Sequence, residues 1–143
     1  MSDSDLIKLY STRILALAAD IPHHGRLAAP QGTARRRSPL CGSTVTVDVM
    51  VEAGRITQFA QDVKACALGQ ASAAVLGQSV VGRSLAELEA ARDSLKAMLK
   101  DAGPVPAAPF QGYDVLLPAR DYKNRHASIL LALEAVCEAM QAA

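Results

Sequence analysis

Residues 44–63 hold a strand, a tight turn and a second strand, and a cysteine stands just outside each end of that unit. Val45, Val47, Val49 and Val51 alternate with Thr44, Thr46, Asp48 and Met50. A period of two over residues 43–52 predicts a strand with one buried face, the valines turned to the core. Glu52-Ala53-Gly54-Arg55 follows as a turn, with Gly54 supplying a positive φ. Residues 56–63 alternate less cleanly and return as the partner strand. Antiparallel pairing brings the two ends of a hairpin together, so Cys41 and Cys66 are expected close in space. A two-thiol site is therefore the leading chemical expectation, and the rest of the chain supplies its scaffold and its further ligands.

Upstream, residues 5–19 predict an amphipathic helix with Leu6, Leu9, Ile14, Leu17 and Ala18 near one face. Pro22 ends it, and His23-His24-Gly25 opens a loop whose histidines are expected in solvent. Residues 33–38 read as an exposed edge strand, because Arg35-Arg36-Arg37 places charge where it discourages edge-to-edge pairing. Downstream, residues 67–80 are rich in Ala, Gly and Ser and predict a buried helix that begins just after Cys66. Ser84-Leu85-Ala86-Glu87 is a capping box for the next helix, which runs to about residue 100. Residues 101–111 contain Gly103, Pro104, Pro106 and Pro109 and form a loop. An extended segment is expected over residues 113–117. A last helix follows from His126 to about residue 142, with Ile129, Leu130, Leu133, Val136, Cys137 and Met140 as its apolar stripe.

Composition removes several classes of function. The 143 residues suit one domain, residues 1–143, and half of them are apolar. A net charge of +1 gives no electrostatic case for nucleic acid or an anionic membrane. With no Trp, two Phe and three Tyr there is no aromatic platform for stacking bases. No apolar run reaches the length of a membrane span. The acidic start, Met1-Ser2-Asp3-Ser4-Asp5, is unlike a secretory or transit segment, so a cytoplasmic protein is expected. In that compartment thiols stay reduced, and metal binding or thiol chemistry is favoured over a structural disulfide.

The thiolate is both metal ligand and nucleophile. Cys66 precedes a helix, and Lys64 stands two residues before it, a setting that favours negative charge. Gly42 gives the Cys41 loop a tight backbone path. Two thiols could bind zinc, iron or an iron–sulfur cluster, and each needs further ligands. His126 is the third candidate. Cys137 is excluded from a shared site with it, because eleven residues along one helix is about 16 Å at 1.5 Å per residue. It reads as a buried small hydrophobe. No nucleophile–base pair stands out, so an independent enzyme is not expected.

Several segments, taken together, resemble a known family. Pro39-Leu40-Cys41-Gly42, the valine-rich strand, Lys64-Ala65-Cys66-Ala67 before a small-residue helix, and Arg125-His126-Ala127-Ser128 are similar to the iron–sulfur cluster assembly scaffolds of the IscU, SufU and NifU N-terminal type. The segment from Leu9-Tyr10 to His24-Gly25 is similar to that family's first helix and loop. The Pro-rich stretch with Leu117-Pro118-Ala119-Arg120 resembles the SufU branch, and the likeness spans about residues 6–140. It implies an α+β fold, a small three-stranded antiparallel sheet packed against several helices in the SufE/IscU-like manner. It implies a scaffold or carrier that holds iron or a cluster, of the 2Fe-2S type in the first place, through Cys41, Cys66 and His126. Zinc in a sulfur-acceptor adaptor for a cysteine desulfurase is the alternative, and a metal-free interaction module is a further one. The implied partners are a cysteine desulfurase and cluster-acceptor proteins. The chain departs from the family at two places. Ser43 stands where the first motif has Asp, and the last helix begins without the third cysteine, with Ala127 or His126 at that position.

Overall fold

The structure, a computed structural model, describes residues 10–40 and 42–143. Cys41 and the predicted helical residues before Tyr10 lie outside the described residues.

Helix α1 spans Thr12–Ala19. The expected helix does not run unbroken through residues 10 and 11. Ser11 is the N-cap, in extended conformation, and its hydroxyl accepts from the Ile14 N–H. A serine oxygen that satisfies an otherwise orphaned donor fixes the helix start there. Ile14 is fully buried and Leu17 packs partly against the core, as the apolar face requires.

Strands β1 (Gly32–Arg37), β2 (Thr44–Glu52) and β3 (Arg55–Lys64) form one antiparallel sheet in the order β1-β2-β3. The expected hairpin is β2–β3. Val45 pairs with Val63, Val47 with Gln61 and Val49 with Phe59. These three valines are buried, so the period-two reading of the core face holds. The turn carries positive φ at both Ala53 (52°) and Gly54 (78°), the twist that joins two strands by two residues. A bulge at Met50/Val51 shifts the register beside it. The basic strand β1 lies at the sheet edge, and Arg36 reaches Glu138 on the last helix at 3.2 Å.

The other edge is partly covered by the segment after Pro22. Gln61 N–H donates to the His23 carbonyl, and Gly25 N–H donates to the Gln61 carbonyl. The buried Gln61 amide also donates to the carbonyls of Pro22 and Ala73. One glutamine thus ties loop, sheet and helix together. Asp48 points to the opposite sheet face from the valines, yet it too is buried, because Arg26 and Leu27 fold over it.

Helices α2 (Ala67–Ser79), α3 (Leu85–Lys100) and α4 (Lys123–Gln141) complete the core. Helix α4 packs on β1 and β2 with one side and on α2 and α3 with the others. Ile129, Leu133, Val136 and Ala139 are fully enclosed as a result. Helix α2 is buried on most sides, which its small residues allow, and α1 lies against it. The Ser84 capping box forms as the sequence predicts.

Two expectations fail after residue 110. Residues Gln111–Asp121 are a 3-10 helix rather than an extended segment. Tyr113, Leu116 and Ala119 are buried at three-residue spacing, the repeat of 3-10 geometry, and the sheet offers no strand for this segment to pair with. Helix α4 begins at Lys123, three residues before the predicted start at His126. The 3-10 turns feed straight into it, with Tyr122 N–H on the Ala119 carbonyl and Arg125 N–H on the Tyr122 carbonyl.

Candidate functional site

The open end of the β2–β3 hairpin lies at the Thr44–Lys64 pair, and the chain passes from there into Cys66. Cys66 is the N-cap residue of α2, in extended conformation (φ −67°, ψ 169°). Its side chain makes no cap hydrogen bond to the helix, so the thiol is free to face elsewhere. It is partly buried and lies 3.5 Å from the Ser128 hydroxyl on α4. Ser128 in turn donates to the Ser43 hydroxyl at 3.1 Å. Both serines are buried. A thiol and two hydroxyls therefore form one polar chain at the end of the hairpin, drawn from α2, α4 and the residue just before β2.

Ser43 is also where the Cys41 loop is fastened. Its carbonyl accepts from Ser38 N–H at 2.8 Å, and Gly42 N–H donates to the Ser38 carbonyl at 2.9 Å. Gly42 has φ +70°, a backbone conformation glycine adopts without strain. Cys41 itself is outside the described residues, but Ser38, three residues before it, and Ser43, two after it, are bonded to each other at the end of the sheet where Cys66 lies. Lys64 is exposed beside the site, and Leu40 is an exposed apolar residue on its rim.

Helix α4 can approach this closely because α2 has a glycine there. A Cβ added at Gly69 would lie 2.6 Å from the Ser128 hydroxyl and 2.9 Å from the Ala65 methyl. The hydroxyl of Ser72, one turn on, donates to the Ile129 carbonyl, so the two helices are joined by a second polar contact.

His126 does not join Cys66. Its Nε2 lies 2.9 Å from the Ala119 carbonyl and 3.1 Å from the Arg120 carbonyl. Carbonyl oxygens only accept, so Nε2 carries the proton. The ring closes the end of the 3-10 helix, and it is buried. Ser128 and His126 are two residues apart on one helix, about 200° around its axis, so a residue on the Cys66 side excludes the other. Ala127 also faces away, into a groove of about 770 Å³ between α3 and α4 that Arg36, Lys96, Glu134 and Cys137 help to line. Cys137 is buried, and burial pushes its thiol up to about 11, against a smaller opposing effect of Arg92. It is the inert core thiol the sequence predicts. Ser128, which the sequence gives only as the last residue of the Arg125-His126-Ala127-Ser128 segment and to which no role was assigned, is the residue of α4 that meets Cys66. The helix rotation was needed to identify it.

Among the described residues, no three His, Cys, Asp or Glu side chains come together in a way that could hold a metal ion. No helix among them is long and apolar enough to cross a membrane.

A three-stranded antiparallel sheet wrapped by helices, with a thiol at the open end of its central hairpin, defines an α+β domain of the NifU-like kind. Similarity to known proteins agrees. The family described as "NifU-like N terminal domain" matches residues 9–128. The crystal structure of a nitrogen-fixing NifU-like protein (N-terminal) from Brucella abortus superposes with a TM-score of 0.94 at 45% identity, over 96% of each chain. Two more distant structures share the fold, both with a TM-score of 0.82 and covering 94% of this chain and 98% of theirs. One is a hypothetical protein at 23% identity, and the other is a putative iron–sulfur cluster assembly scaffold protein for the SUF system from Fervidobacterium islandicum at 18%. No curated protein matches the sequence. The chain belongs to the NifU-like N-terminal domain family.

Proposed function

We propose that this protein is an iron–sulfur cluster assembly scaffold or carrier, and that Cys66 and Cys41 are the thiols that hold its cargo. Membership in the NifU-like family supports the general role. The observation that carries the finer reading is the position of Cys66, a helix N-cap at the open end of the hairpin, linked through the Ser128 hydroxyl to Ser43 beside the Cys41 loop.

The cluster is cargo in this reading, and a partner supplies the ligands the domain lacks. Two thiols and two neutral hydroxyls are a poor set for permanent retention of a soft metal, because hydroxyls bind such ions weakly while protonated. The same set suits temporary holding. The sequence expectation of His126 as third ligand is replaced here, because its Nε2 is committed to two backbone carbonyls. A cysteine desulfurase as sulfur donor and apo-proteins as acceptors are the partners this role requires, in the cytoplasm.

Anaerobic reconstitution with iron and sulfide tests the proposal. Visible charge-transfer absorbance is expected in the natural chain and in His126→Leu, and its loss in Cys41→Ser and Cys66→Ser. Absorbance that survives both cysteine substitutions overturns it.

A second reading is favoured by the partial exposure of the Cys66 thiol. The Cys66 thiolate would attack the outer sulfur of a desulfurase persulfide. The donor's S–S bond breaks, the donor leaves as a thiolate, and Cys66 retains the sulfur as a persulfide. Mass spectrometry of the protein after desulfurase turnover, trapped by alkylation, is expected to show one added sulfur on the Cys66 peptide.

A further inference from the structure

The sheet has two edges, and the fold treats them differently. The β3 edge is covered by the chain itself, where Gln61 forms backbone hydrogen bonds with His23 and Gly25. The β1 edge has no such cover among the described residues, and no strand of theirs pairs with it. Ser38 N–H donates to the Ser43 carbonyl. Bonds of an antiparallel ladder come at every second residue, so Arg36 and Ala34 bond to β2 as well. The N–H and C=O groups of Thr33, Arg35 and Arg37 therefore point away from the sheet, a row of donors and acceptors turned outward. The side chains on this edge are divided too. Arg36 faces α4, where Glu138 meets it at 3.2 Å and Glu134 at 4.0 Å. Arg35 and Arg37 stand exposed on the opposite face, and neither has an ion-pair partner among the described residues.

We propose that the β1 edge is a docking surface for an extended acidic segment of a partner protein, which adds to the sheet as a fourth strand. The backbone groups of Thr33, Arg35 and Arg37 supply the pairing, and the two arginines select the sequence. Side chains two residues apart on a strand lie about 6.8 Å apart on one face. A segment with a carboxylate at every second position therefore sets one opposite Arg35 and the next opposite Arg37. Arg36 is neutralised by α4, so the other face of the segment needs no charge. A second copy of this chain is the wrong occupant. Antiparallel self-pairing about Arg35 sets that arginine against its own copy, and like charges directly opposite each other destabilise a ladder. Charge on an edge keeps like edges apart and attracts an edge of opposite charge. The surface does not involve the thiols, so it stands whether or not they hold a cluster.

A short fluorescein-labelled peptide in which aspartate alternates with threonine is the probe, read by fluorescence anisotropy against the full chain at low ionic strength. Saturable binding is expected, and none of the counterpart in which lysine replaces aspartate. Charge reversal by Arg35→Glu with Arg37→Glu is expected to weaken binding of the acidic peptide about tenfold or more and to confer binding of the lysine peptide. Backbone pairing is tested on the peptide alone, so no variant has to fold. Methylating the aspartate nitrogens, which face β1 in an antiparallel pair, is expected to abolish binding, and methylating the threonine nitrogens is not. No saturable binding by the folded natural chain overturns the proposal. So does binding that charge reversal leaves unchanged, or binding that survives methylation of the aspartate nitrogens, since charge alone then holds the peptide. Sedimentation that shows the natural chain self-associating, and the reversed variant not, assigns the edge to a second copy and overturns it as well.

Discussion

Asp48 shows how one side chain can be both a liability and a fastening. It is fully buried, and burial alone would raise its carboxyl. Two hydrogen bonds from Arg26, one from Thr33 and one from Leu27 N–H outweigh that and hold it below its ordinary value. The unfolded chain then takes up the proton more readily than the folded one, so the stabilisation is whole above pH 3.8 and is lost as pH falls below it. Asp48→Asn is expected to cost about 1–3 kcal/mol at pH 7. Urea unfolding at pH 7 and at pH 3 checks this, and the gap between variant and natural chain should narrow in acid. His126→Leu removes a donor from the Ala119 and Arg120 carbonyls, the first of which keeps Tyr122 N–H, and is expected to cost about 1–3 kcal/mol by the same measurement. Its absorbance after reconstitution with iron and sulfide should match that of the natural chain, as a helix-end clasp requires and a metal ligand would not allow.

At the scale of elements, the joints are set by small residues and by caps. Glu87 receives Arg55 at 2.8 Å, Arg83 at 3.0 Å and the Ser84 N–H at 3.2 Å, so the start of α3 is tied to the hairpin as well as capped. Ser84→Ala removes the hydroxyl that accepts from Glu87 N–H and is expected to cost about 1 kcal/mol in chemical denaturation. Gly32 is a harder constraint. A Cβ there would fall 2.0 Å from the Ala139 carbonyl, so Gly32→Ala must push β1 away from α4. Its expected effect is a loss of stability of about 1–3 kcal/mol, read from the urea midpoint. Local patterns made most of these elements legible. The valine alternation gave β2, the serine–glutamate spacing gave the start of α3, and the three arginines gave the edge strand. The 3-10 helix was not legible, because two turns marked by buried Tyr113, Leu116 and Ala119 give too short a repeat to separate it from an extended segment.

For the molecule as a whole, α4 is the axis on which the layers meet, with the sheet on one side and α2 and α3 on the others. Leu133 is fully buried at that junction, and Leu133→Ala is expected to cost about 2–5 kcal/mol, since neighbouring layers cannot all collapse into the space. Calorimetric unfolding would register the drop. The sequence by itself determined the hairpin with a cysteine beyond each end and the separation of Cys137 from His126, and its resemblance to a known family implied the fold. The first two follow from a period of two residues and from chain length along a helix, both of them local quantities. Only the tertiary structure decided which face of α4 meets Cys66. Adjacent residues on a helix differ by about 100° in direction, so His126, Ala127 and Ser128 point to three different places. Sequence order cannot choose among them. The packing of α4 against Gly69 and the 3-10 helix turns Ser128 toward Cys66 and His126 toward the carbonyls of Ala119 and Arg120.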